Sequence, residues 1–289
     1  MVDFHVHCDF SIDAEGAIEA YARAALGKGL THICFTTHCD LDPARRHHDG
    51  RVRYKGKIVD VTSGWLESYK DEVREAQDTY AGQGLSIMCG LEVGYVPGIE
   101  HMIESVLDSE GLDFVIGGVH TLEGIDIVSS RECNDYFSTR APVQMCELYF
   151  HDVLEAVRCD LFDAIAHIDI YKRCGLDFYG EPLNQAHEGF IEPVLGEIAE
   201  RGISLEINSG GLRKGLRWPY PSADLMALAR EAGVRGITIG SDCHRPEDIG
   251  YGLGACLDHA LQYGYGAVDV YRGRARSSIP IRKPDDENP

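Results

Sequence analysis

Short apolar runs and longer stretches with apolar residues every three or four positions alternate along the chain. The runs predict strands at Val2–His7, His32–Thr37, Ser86–Glu92, Phe114–His120, Asp163–His167, Ser204–Asn208 and Gly236–Ser241. The helical pattern predicts helices at Ala17–Leu26, Trp65–Tyr80, Gly98–Leu107, Val143–Val157, Gly189–Arg201 and Ser222–Glu231. Strand and helix taking turns is the signature of parallel βα units. No linker rich in Pro, Gly or Ser divides the chain, so one domain over residues 1–282 is expected, with a charged, disordered tail at 283–289. Two polar segments, Asp40–Ser63 and Thr121–Arg140, interrupt the alternation just after strand ends and should overhang whatever lies there.

The ends of the predicted strands carry the chemistry. His5 and His7 close the first strand; residues i and i+2 face one way, so both imidazoles can reach one point. His38, Glu92, His120 and His167 end later strands, and Asp242 with His244 follow the last. In an α/β barrel the C-terminal ends of the strands form one rim, where sites are built. With Asp13, these positions offer six imidazoles and three carboxylates and no thiolate. Such a set suits Zn, Mn or Fe rather than Ca or an iron–sulfur cluster, and nine side chains are enough for two or three divalent ions. Ions so held would lower the pKa of bound water and attract a phosphate.

Composition narrows the partners. The 289 residues are 44% hydrophobic and 26% charged, as in ordinary globular proteins, and no apolar stretch approaches membrane-spanning length. The ligand pattern starts at residue 5 with no leader pattern ahead of it, and the ten cysteines form no CxxC pair. Both point to a cytoplasmic protein with reduced thiols. Net charge is 27 − 47 = −20, which argues against nucleic acid and requires local cations wherever phosphate binds.

Several other residues have ordinary readings. His32 reads as structural, His47-His48 as part of a solvated loop or a lid, and His101, His151, His187 and His259 as surface or packing residues. Asp169, two residues beyond His167, reads as support for a ligand or as packing. Cys8, Cys39 and Cys243 read as buried thiols, and Gly250, Gly252 and Gly254 as a turn, because no strand leads into them.

The motifs Asp3-Phe-His5-Val-His7, Thr37-His38, Gly90-Leu-Glu92-Val-Gly94, Gly118-Val-His120, Ala166-His167-Ile-Asp169 and Gly240-Ser-Asp242-Cys-His244-Arg-Pro-Glu-Asp248 resemble those of the PHP (polymerase and histidinol phosphatase) superfamily over nearly the whole chain. Tyr171-Lys-Arg173, Glu206-Ile-Asn208-Ser-Gly-Gly-Leu-Arg213 and Pro219-Tyr-Pro221 resemble its histidinol-phosphate phosphatase branch. The resemblance implies a distorted (β/α)7 barrel with a trinuclear centre. It implies one ion on His5, His7, Glu92 and Asp242, a second on Glu92, His120 and His167, and a third on Asp13, His38 and His244. Position 13 is Asp where some relatives carry His, which implies a weaker third site. Arg173 and Arg213 match arginines that clamp the substrate's phosphate, with Lys172, Lys214, Arg217 and Arg245 adding charge nearby, and Asp242 would also move a proton. The implied activity is metal-dependent hydrolysis of L-histidinol phosphate in histidine biosynthesis. Another small phosphate ester, or a metal-binding module without activity, are the alternatives.

Overall fold

The computed structural model describes residues 1–281; the expectation for the tail at 283–289 lies outside the described residues. Seven parallel strands form one sheet in chain order: β1 (Val2–Val6), β2 (His32–Asp40), β3 (Ser86–Gly94), β4 (Phe114–Gly118), β5 (Ala164–Ile165), β6 (Ser204–Asn208) and β7 (Ile237–Gly240). The two outer strands curl toward each other. Val6 bridges Cys243, the Asp242 amide donates to the His5 carbonyl at 2.8 Å, and the His7 amide donates to the Cys243 carbonyl at 2.9 Å. The result is a nearly closed (β/α)7 barrel.

The strands are buried on both faces, which is why they read as apolar runs rather than as strict alternation. The outer helices each turn one apolar stripe inward. In Trp65–Tyr80 the buried apolar residues are Trp65, Tyr69, Val73, Ala76 and Tyr80, at helical spacing, with Lys70 buried beside them. Tyr69 also donates across two strands, to the carbonyls of Phe35 at 3.0 Å and Gly90 at 2.9 Å.

Both insertions contain structure that their polar composition conceals. The first holds an antiparallel hairpin, Arg51–Tyr54 with Lys57–Asp60; the second holds a small hairpin, Thr121–Leu122 with Ile125–Asp126, and the short helix Cys133–Phe137. Arg45 fastens the insertions together. Its guanidinium is buried and donates to Glu132 at 2.7 and 3.1 Å, to the Gly124 carbonyl at 2.9 Å, and to Asp49. A C-terminal hairpin, Ala267–Arg272 with Ala275–Pro280, packs at the opposite end of the barrel: Tyr271 donates to the Asp163 carbonyl at 3.0 Å, just before β5.

Candidate metal centre

Each barrel strand delivers side chains to the rim, and Glu92 of β3 lies at the centre of what they build. It is 1% exposed, and its two oxygens face different groups. Oε2 lies 3.3 Å from His5 Nε2, 3.4 Å from His7 Nε2 and 2.9 Å from His38 Nδ1. Oε1 lies 2.9 Å from His167 Nε2 and 3.3 Å from His120 Nε2. Asp242 Oδ1 lies 3.4 Å from His7 Nε2 and 3.9 Å from His5 Nε2. Asp13 Oδ2 lies 3.2 Å from His244 Nε2 and 3.8 Å from His38 Nε2. All nine expected ligands are thus brought together. Three groups have donor atoms close enough to share an ion: His5–His7–Glu92, Glu92–His120–His167 and His7–His38–His244. The third differs from the sequence expectation by having His7 in the place of Asp13; the His7 ring packs 4.2 Å from those of both His38 and His244, while Asp13 approaches the last two from the rim.

The donor chemistry fits bound cations. His5 Nε2, His7 Nε2, His38 Nδ1 and Glu92 Oε2 are buried and make no aligned hydrogen bond, although they crowd one another. Burying polar atoms without partners is costly. Two donors held ~2.0–2.1 Å from one tetrahedral ion lie about 3.3 Å apart, the spacing seen here.

The protonation balance points the same way. Burial works against charge on His5, but Glu206, Glu92 and Asp242 outweigh it and hold His5 well above its ordinary range. His38 is raised to about 10 because Glu92 and Asp13 outweigh its burial. Despite burial, the surrounding imidazoles hold the carboxyls of Glu92 and Asp242 well below the usual range. His7 is pushed down to about 3 by burial and by the charges of His38 and His244. Protons on His5 and His38 neutralise the carboxylates only when no other cation does so.

Neighbouring residues hold the candidate ligands in place. Glu206 on β6 was not singled out by strand-end reasoning, yet it is buried and bonds His5 Nδ1 at 2.6 Å, the His167 amide at 2.9 Å and Asn208 Nδ2 at 3.0 Å. Its alternation with Asn208 on one strand face was the available signal. His167 and Asp242 sit at φ 22° and 53°, a region that non-glycine residues seldom occupy. The Asp242 turn is braced by Arg213, which donates to the Ser241 carbonyl at 2.8 Å and to the Asp242 carbonyl. Asp3 accepts from the Ser241 amide at 2.8 Å and the Gly250 amide at 2.9 Å.

A cavity of about 410 Å³ opens over this cluster and is lined by Asp13, His38, Glu92, His120, His167, Asp242 and His244. Arg173, Arg51 and Arg131 line it too, as do Asp40, Asp49 and Asp126 from the two insertions. The insertions therefore overhang the site as their placement predicts. Burial lowers the Lys214 pKa, and the nearby charges of Arg173 and Arg213 lower it further. Lys172 departs from expectation: it is buried, donates to Ser222 Oγ at 2.6 Å and lies 3.3 Å from Asp169. Its charge serves the packing between barrel and helices. Asp169, which also accepts from the Ser222 amide at 3.0 Å, belongs to that packing rather than to the ligands. Arg245 faces Glu15 at 3.1 Å on the surface.

A model of the PHP domain family matches residues 3–210. The chain belongs to the PHP domain family. Among its PHP relatives, a Deinococcus radiodurans protein described as a probable histidinol-phosphatase is 33% identical over 275 residues, spanning 95% of this chain and 97% of that one. The histidinol-phosphatase of Bacillus subtilis is 28% identical over 272 residues, spanning 89% and 98%. The histidinol phosphate phosphatase of Lactococcus lactis, solved with zinc, L-histidinol and phosphate, superposes with a TM-score of 0.77 at 20% identity, covering 96% of this chain and 98% of that one. That likeness shows a shared fold.

Proposed function

We propose that this PHP protein is a metal-dependent phosphomonoesterase that hydrolyses L-histidinol phosphate to L-histidinol and phosphate in histidine biosynthesis. The observation that carries the proposal is Glu92, whose two oxygens each face a separate set of imidazoles beneath one open cavity. The curated relatives described as histidinol-phosphatases span nearly all of this chain and support the choice of substrate.

In this reading His5, His7, Glu92 and Asp242 hold one divalent ion, Glu92, His120 and His167 a second, and Asp13, His38 and His244 a third. Such ions, zinc, manganese or iron by donor type, supply Lewis acidity and lower the pKa of coordinated water. The chain's own residues do the rest. Arg173 lines the cavity and offers a planar, permanently charged fork to the phosphoryl oxygens. Arg213 does not line the cavity: its Nη1 and Nη2 hold the Asp242 turn, and it would act on the phosphate through its charge beside Lys214. Arg173, Arg213 and Lys214 crowd like charges together, and a dianion between them would relieve the repulsion that adds to burial in depressing Lys214. Asp242 directs Oδ1 at the imidazoles, which would leave the Oδ2 of its carboxylate to accept the proton lost by the attacking water and pass it to the departing alkoxide oxygen. Phosphoryl transfer needs mainly positioning and charge neutralisation, and this arrangement provides both.

Ten free cysteines accord with a reducing cytoplasm as the place of action. No helix among the described residues is long and apolar enough to cross a membrane. The test is phosphate release across a panel of esters: L-histidinol phosphate, sugar phosphates, nucleotides and an aryl phosphate. The proposal expects kcat/KM for L-histidinol phosphate to exceed the others by at least about tenfold, or about 1.4 kcal/mol. Equal or better turnover of another ester overturns the substrate; no turnover of any ester by metal-loaded protein overturns the activity.

A further inference from the structure

We propose that Arg53 is a positioning residue that presets Asp13 for an ion shared with His38 and His244; the inference rests on the reading that those three residues hold an ion. Asp13 is the outlying member of the centre. Its side chain is 55% exposed, and it sits in the irregular stretch between β1 and the helix Ile18–Gly27 rather than on a strand. No strand or helix holds this backbone, and a ligand on backbone without such anchoring must be ordered each time an ion binds.

Arg53 removes that freedom. It lies on the hairpin of the first insertion, and its guanidinium is wrapped by main-chain carbonyls on both sides of Asp13. Nη1 donates to Asp9 at 2.7 Å, Ser11 at 3.2 Å and Ala14 at 3.1 Å, and Nη2 donates to Ile12 at 2.9 Å. Its own amide donates to the Phe10 carbonyl at 2.8 Å, and Ser11 bridges Val52. Five carbonyls from Asp9 to Ala14 therefore end on one residue. Ser11, inside the clasp, also accepts from the His38 amide at 3.2 Å and meets His7 Nδ1 at 3.4 Å. One guanidinium thus fixes the stretch that carries Asp13, and through Ser11 ties it to His38 and His7. Only a planar fork can serve four main-chain carbonyls in this way; an ammonium has fewer donors and no fixed plane.

The experiment is zinc titration of chelator-stripped protein, followed by bound-metal analysis and by the melting temperature of the stripped form. Wild type, Asp13→Ala, Arg53→Met and Arg53→Lys are compared. The expected result is three ions in wild type and one fewer in Asp13→Ala. In Arg53→Met one ion should bind roughly 10–100-fold more weakly while the other two are unchanged, as for other residues that orient a ligand without touching the ion. Arg53→Lys should fall between. Three ions with wild-type affinity in both Arg53 variants overturns the proposal. So does equal weakening of all ions with a lowered melting temperature, which marks a merely structural residue; Arg53→Lys, which keeps the charge and stem, reads this out if Arg53→Met fails to fold. Two ions in both wild type and Asp13→Ala overturns the underlying ion assignment itself, and the role of Arg53 with it.

Discussion

Glu206 touches no expected substrate or ion, yet it holds His5 Nδ1 and the strained His167 amide from one carboxylate. Glu206→Gln keeps the shape and removes the charge that fixes the His5 tautomer. Metal affinity should fall roughly 10–100-fold, read by chelator competition; unchanged affinity contradicts the role. Gly240 is a second residue with no freedom. A Cβ there would lie 2.3 Å from His5 Cβ and 2.5 Å from Glu206 Oε1. Gly240→Ala should destabilise the fold by about 1–3 kcal/mol in denaturant unfolding, with metal binding weakened. The proposed ligands at strand ends were legible in the sequence because each follows an apolar run; Asp13, on irregular backbone, has no such signal. Glu206 was less so, since it sits one turn of the pleat inside its strand and looks like a misplaced charge. Lys172 misled for the opposite reason: adjacency to Arg173 says nothing about side-chain direction, and the two neighbours diverge into core and cavity.

At the scale of elements, strand periodicity located all seven barrel strands, and the errors lie at their ends and between them. β5 is only two residues long, and the chain has left the sheet before His167 takes up its unusual backbone conformation. The insertion hairpin turns on Lys55-Gly56 and the C-terminal hairpin on Gly273-Arg274, both with positive φ, which is the two-residue geometry that suits twisted strands. Lys-Gly and Gly-Arg are weaker turn signals than Asn-Gly, so polarity hid these elements. Arg45 gives the insertions their shared position. Arg45→Ala should cost about 1–2 kcal/mol, a charge-assisted pair discounted for the solvent around Asp49 and Glu132. It should also raise KM more than it lowers kcat, because Asp49 and Asp126 line the cavity from the two segments it joins. A variant with wild-type stability and KM contradicts this.

For the whole molecule, the site must be reconciled with a net charge of −20. The barrel does so by gathering imidazoles and cations at one rim, and metal and protons compete for them. Without metal, Glu92 and Asp13 outweigh burial and raise His38 to about 10 from its ordinary 6.5. A raised folded pKa stabilises the fold fully below the ordinary value, and that contribution is lost as pH rises through the folded one. The melting temperature of stripped protein should therefore fall between about pH 6.5 and 10, and zinc-loaded protein should lack that component of the fall. Parallel pH profiles for the two forms contradict the account. The barrel and its rim were legible at this scale because strand order follows chain order; the clasp of Arg53 and the strap of Arg45 were not, because they join segments distant in sequence through irregular backbone.

The central claim is that one metal centre organised on Glu92 turns over a phosphate ester. It is tested most directly by measuring L-histidinol phosphate hydrolysis by wild type and Glu92→Gln, each stripped by chelation and then restored with zinc. Wild type should lose activity on stripping and regain it on restoration, while Glu92→Gln should stay at least roughly a hundredfold slower, even at the zinc concentration that saturates wild type. Turnover that survives stripping, or a Glu92→Gln variant near wild-type rate with full metal content, contradicts the account.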